Sequence, residues 1–102
     1  MSDIMIIVLA KAIPKDENAK MNFISVSSDL IEKSKAEEGN IDYNLYDDVN
    51  ADSLMFVEKW KSVEDLQNHM QTEHFIKFGQ NIQNLVACEL EIEVFSSDKL
   101  EF

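Results

Sequence analysis

The sequence has 102 residues, 45% of them apolar, enough for one small core and too few for two domains. Twenty acidic against nine basic residues leave a net charge of −11, and a field of that sign repels phosphate backbones and anionic lipid, which excludes nucleic acid and membrane surfaces as partners. The single cysteine, Cys88, can form no internal disulfide, fits a reducing cytoplasmic setting, and is expected to pack as a small apolar side chain.

Ile4 to Ala12 reads as a strand apolar on both faces. Its apolar run is too short for a membrane span and lacks a basic flank, so it is neither an anchor nor a signal. Pro14 and the polar run from Lys15 to Asn18 end it. A helix is expected next, to about Glu38, with Phe23, Val26, Ser27, Leu30, Ile31 and Ser34 on the buried side. Gly39 is placed to stop it in a left-handed conformation. Asn40 to Asp47 alternates as a second strand, and Asp47 to Asp52 is a turn-rich loop leading to a third strand, Ser53 to Trp60. Ser62 and Asp65 make a weak capping box for a helical region that runs to Leu85 with a break near Thr72. Its apolar stripe would be Val63, Leu66 and Met70, then Phe75, Phe78, Ile82 and Leu85. Glu89, Glu91 and Glu93 alternate with Leu90, Ile92 and Val94 in a last strand, and residues 96–102 form a loose tail.

The order β-α-β-β-α-β predicts an α+β, ferredoxin-like domain spanning 1–102 with its core over about 4–95: an antiparallel sheet with strands one and three central and helices on one face. The uncovered face needs a second apolar layer, which predicts a homodimer packed sheet to sheet.

Glu58-Lys59-Trp60-Lys61-Ser62, then Leu66, then His69-Met70-Gln71-Thr72-Glu73-His74-Phe75, resembles the E-x-W-x-S, L, H-x-x-T-x-H signature of the antibiotic biosynthesis monooxygenase superfamily, in particular its small quinol-monooxygenase branch. Glu37-Glu38-Gly39-Asn40 with Tyr43 is similar to that family's segment ahead of the second strand. The resemblance implies a dimeric α+β barrel with a cavity between helices and sheet, taking a small aromatic substrate and O2 and needing no cofactor. It also implies that His69 and His74 are the catalytic residues, with Trp60, Tyr43, Glu58, Phe75 and Met70 forming the substrate pocket.

The residues themselves support parts of this and leave others open. Oxygen takes an electron readily only from an electron-rich anion, and a neutral imidazole can make one by removing a phenolic proton. His69, beside the apolar stripe, is as well explained by a core hydrogen bond as by catalysis, and His74 at the break could be a cap. Trp60 could be a stacking wall or a core plug. Glu58 shares strand parity with Phe56 and Trp60; facing the cavity it would carry a raised pKa, and facing a dimer interface it would be a structural partner. Two histidines spaced by five sit about 140° apart on one continuous helix, with no third ligand at a usual spacing, so no metal is expected. The haem-degrading relatives in that superfamily use an Asn on the first strand and a Trp on the second long helix, and this sequence has neither, so the resemblance does not imply haem breakdown. Flavin, NAD and ATP are disfavoured because no Gly-rich fingerprint or P-loop is present. Two other functions stay open: a non-enzymatic dimeric ligand-binding or stress-response barrel, and an isomerase of a small phosphorylated signalling metabolite, for which Lys59, Lys61 and Lys77 would have to supply positive charge.

Overall fold

In the computed structural model, which describes residues 4–102, the chain runs β1 (Met5–Ala12), α1 (Glu17–Lys35), β2 (Asn40–Asp47), β3 (Leu54–Trp60), α2 (Val63–Met70), α3 (Glu73–Ile82) and β4 (Glu91–Ser97). The strands form one antiparallel sheet in the order β2-β3-β1-β4. This is the ferredoxin-like α+β arrangement, with the expected second helix divided in two.

Alternation along β1 sends Ile6, Val8, Ala10 and Ala12 toward the helices, and along β3 it sends Leu54, Phe56, Glu58 and Trp60 the same way. Phe23 and Leu30 of α1 and Phe78 and Ile82 of α3 close over them. Three rings lock this junction: Phe23 meets Phe78 edge-on at 5.5 Å, Phe56 meets Phe78 edge-on at 5.7 Å, and Phe23 lies 6.0 Å from Phe56. Ser27 sits between Phe23 and Leu30 without cost, because its hydroxyl donates to the Phe23 carbonyl one turn back at 2.7 Å.

Several expectations are corrected in detail. Helix α1 stops at Lys35, capped by Ala36 in a right-handed conformation, so Glu37 and Glu38 lie beyond the helix. Gly39 has no positive φ. The position requires glycine for a different reason: a Cβ there would overlap the Asp65 side chain at the start of α2. A shift in pairing between Asn40 and Asp42 turns Ile41 outward, while Tyr43 is buried. On α2, Val63 and Met70 are exposed, and the buried residue is His69. The Asp47–Asp52 loop is tied as a turn, with Asp48 N–H donating to the Ser53 carbonyl and Asp48 Oδ1 accepting from Asn50 N–H.

Strand β4 reaches Ser97, into the segment expected to be loose, and the Ser97 hydroxyl donates to the Met5 carbonyl at 2.9 Å. The helices do not cover β4: Ile92 and Val94, which share the helix-side face with Ala10 and Val8, are 60% and 53% exposed. The opposite face of the sheet carries Ile7, Leu9, Met55, Val57 and Phe95, with Lys11, Lys59, Glu91 and Glu93 among them, and no layer of the described residues lies over it. Beyond α3, Lys15 N–H donates to the Leu85 carbonyl and Ala87 N–H to the Ile13 carbonyl, fastening the chain between α3 and β4 to the end of β1.

Candidate active site

Three chain segments bring two imidazoles and a carboxylate together. Ser62 caps α2 by accepting from Asp65 N–H, and its own hydroxyl donates to Asp65 Oδ2 at 2.8 Å. This fixes α2 so that His69 points at the sheet. After Met70 the helix ends, and Thr72 does two jobs at the break: its hydroxyl donates to the His69 carbonyl at 2.7 Å and accepts from Phe75 N–H at 3.2 Å, capping α3. Breaking the helix removes the premise that put the two histidines about 140° apart. Their ring centroids are 5.9 Å apart.

Glu37, in the short link between α1 and β2, stands between them. His69 Nδ1–H donates to Glu37 Oε2 at 2.6 Å and His74 Nε2–H to the same oxygen at 2.9 Å. A carboxylate can only accept, so each of these nitrogens carries its proton when Glu37 is ionised. Glu37 also supplies the third metal-type donor that the spacing of the histidines did not reveal; one ligand atom from each residue lies within 4.8 Å of the others. The Glu37-Glu38-Gly39 segment was the available sequence signal, but nothing local in it shows which glutamate turns inward.

His69 is 1% exposed and enclosed by rings: Trp60 at 4.6 Å, Phe75 at 5.1 Å and Tyr43 at 5.3 Å. The Tyr43 hydroxyl makes a long contact, 3.5 Å, with His69 Nε2. Burial pushes the His69 pKa down, and the Glu37 carboxylate partly offsets it. Behind this ring cage lies Glu58, 6% exposed, which accepts from Trp60 Nε1–H at 3.0 Å. Glu58 therefore faces the helices, not the bare face of the sheet. Burial raises its pKa to about 7, against the opposing effect of hydrogen bonds from Trp60 and Tyr43. Burial, reinforced by the neighbouring Glu58 charge, also holds the Tyr43 hydroxyl well above its ordinary pKa. The Ser34 hydroxyl is close enough to Tyr43 to lower that pKa somewhat, yet it is fully buried and makes no well-formed hydrogen bond.

Among the sequence-predicted residues, His69, His74, Trp60, Tyr43, Phe75 and Glu58 thus gather in one place. Met70 does not; it is 51% exposed on the outer side of α2. The Trp60 ring already has the His69 imidazole against it, leaving His74 as the member of the pair that opens outward. His74 borders a cavity of about 300 Å³ between α1 and α3, where Ser28, Lys33, Lys77, Phe78 and Asn81 also contribute walls.

A ferredoxin-like sheet with a His–Glu–His cluster at the corner between strand and helix defines the class. Residues 5–81 match the antibiotic biosynthesis monooxygenase family, and the chain belongs to that family. It is 31% identical over 87 residues to Bacillus subtilis YcnE, whose name assigns it provisionally to the monooxygenases, covering 84% of this chain and 92% of that one. An uncharacterized Synechocystis protein, sll1783, is 36% identical over 90 residues; the match takes in 87% of this chain but only 61% of that relative's length. Among solved structures, Rv0793 from Mycobacterium tuberculosis superposes with a TM-score of 0.87 at 20% identity, over 94% of this chain and 97% of that one, a likeness of fold.

Proposed function

We propose that the chain is a cofactor-independent monooxygenase that oxidises a quinol or phenolic aromatic with O2, and that His74 is the base that reaches the substrate. The observation that carries this reading is the shared carboxylate: Glu37 Oε2 accepts from both imidazoles, and His74, the less buried of the two, borders the cavity between α1 and α3. With its Nε2–H held by Glu37, the free Nδ1 lone pair of His74 can take a phenolic proton, and the imidazolium that forms keeps its carboxylate partner. Lys77 in the same wall would favour the phenolate, whereas Lys33 there is already paired with Asp29 at 3.3 Å. The anion gives an electron to O2, the radical pair combines at a ring carbon, and loss of water leaves a quinone. One oxygen atom enters the ring, the other leaves as water, and the substrate supplies the electrons. His69 shares the Glu37 oxygen and so positions it, Trp60, Tyr43 and Phe75 enclose His69 behind the cavity, and Glu58 supports Trp60.

Oxygen uptake with a panel of hydroquinones and phenols tests this. General-base loss predicts a fall of about 100- to 10,000-fold in His74→Ala. Equal turnover by His69→Ala, His74→Ala and the parent, or none by any of them, would sink the proposal. The polar lining of the His74 cavity, with Lys33 and Lys77, favours a second reading, isomerisation of a small phosphorylated metabolite. Conversion of such a substrate under strict anaerobiosis would select it over oxygenation.

The bare apolar face of the sheet motivates a further part of the proposal, a homodimer closed sheet to sheet. Light scattering at micromolar concentration should give twice the chain mass, and a monomer would refute it.

A further inference from the structure

We propose that Glu37, His69 and His74 form a binding site for one divalent first-row transition metal, with Zn²⁺ as the ion the donor set favours. The inference uses the same three residues as the proposed reaction, describes a state of the site that excludes that reaction, and rests on three observations. The donors are two imidazole nitrogens and one carboxylate oxygen, brought by three separate segments, with all three atoms within 4.8 Å of one another. Two histidines and one carboxylate are a complete protein ligand set for a metal that keeps one position open. The break at Thr72 is what makes them converge, because each histidine is held by a capped helix and both turn to the same carboxylate.

The second observation is distance. Zn–N and Zn–O bonds of about 2.0–2.1 Å put tetrahedral ligand atoms roughly 3.3 Å apart. The two pairs sharing the Glu37 oxygen stand at 2.6 and 2.9 Å. Opening them by about half an ångström, within the reach of a carboxylate in a link outside any helix, and bringing the two imidazole nitrogens, within 4.8 Å of each other, to the same spacing admits the ion.

The third is the surroundings. Coordination through Nδ1 moves the His69 proton to Nε2, where the Tyr43 oxygen lies at 3.5 Å to accept it, and Tyr43 lies beside the Glu58 carboxyl. Such a partner on the far ring nitrogen is what holds a ligating imidazole in place. His74 moves its proton to Nδ1, and its edge of the site borders the α1–α3 cavity, giving the ion a route in and leaving room for water as fourth ligand. A coordinated imidazole has no lone pair left for a phenolic proton, so metal and general base exclude one another.

The test is calorimetric titration of Zn²⁺ into the chelator-treated full chain, with Co²⁺ absorption as a second readout on the same unmutated protein. One ion per chain is expected, together with the intense visible bands of low-coordinate Co²⁺, and Glu37→Gln and His74→Ala should each weaken binding by about tenfold or more. Only weak binding to many sites with pale octahedral Co²⁺ would overturn the proposal, as would stoichiometric binding left unchanged by both variants.

Discussion

Glu58→Gln separates the energetics of the buried carboxyl from everything else in the core. In the folded chain the carboxyl is held at a pKa of about 7 against an ordinary 4.5, chiefly by burial. Between those values the unfolded chain releases a proton that the native chain keeps, so stability falls as pH rises. At roughly 1.36 kcal/mol per pH unit the full loss is about 3 kcal/mol, complete once the pH passes the folded value. Below about pH 5.5 the net charge shrinks toward zero at the isoelectric point near 4.4 and solubility falls with it; about 2 kcal/mol of the change remains accessible above that pH. Glutamine keeps an oxygen to accept from Trp60 Nε1–H and cannot ionise. Urea unfolding of both proteins from about pH 5.5 to 8 should therefore show the parent losing about 2 kcal/mol relative to the variant, most of it below about pH 7. Parallel curves would mean that Glu58 folds as the carboxylate, and that burial does not govern it.

Glu37→Gln should cut oxygen uptake by about tenfold or more while circular dichroism stays unchanged, since a neutral amide oxygen can still accept from the imidazoles but lacks the charge that stabilises the imidazolium; full activity would remove Glu37 from the mechanism. Gly39→Ala should lower the urea midpoint by an amount equivalent to about 1–3 kcal/mol, because its Cβ meets Asp65 at the Ser62 cap. Gly79→Ala should move the midpoint the other way by about 1 kcal/mol, as nothing lies within 4 Å of a Cβ there and the site is helical. Thr72→Ala should cost about 1 kcal/mol and lower activity further than that loss explains, because the same hydroxyl caps α3 and holds the His69 carbonyl.

The sheet was legible because period-two alternation and two-sided apolar strands are local signals. Parity put Phe56, Glu58 and Trp60 on one face together, but β1 and β3 are apolar on both sides, so which face turned to the helices became clear only from packing. That His69 and Trp60 share a site was implied by the resemblance of the stretch from Glu58 to Phe75 and not by alternation. Met70 was misplaced because an apolar residue on a short helix looks like core, whereas packing gave the inward position to its polar neighbour His69. Glu37 escaped for a deeper reason. It lies beyond its helix, has no periodicity, and gains its role only from partners 32 and 37 residues away in sequence. Gly39 was recognised as necessary, but the cause is a neighbour 26 positions on and not its own backbone angle.

Strand β4 is bonded to β1 on one side only, and neither helix layer nor partner strand protects the rest of it. A segment with free backbone on its outer edge is where a folded protein can recruit another chain's strand and begin to aggregate. Glu91 and Glu93 stand along that edge, Glu91 opposite Lys11 and Glu93 opposite Leu9. Two such edges approaching each other would bring like charges together at sheet spacing, so these acids act as gatekeepers against runaway stacking. Replacing both with threonine, a better strand former without charge, should quicken aggregation at neutral pH while leaving the fold itself intact, a difference that turbidity and circular dichroism would separate.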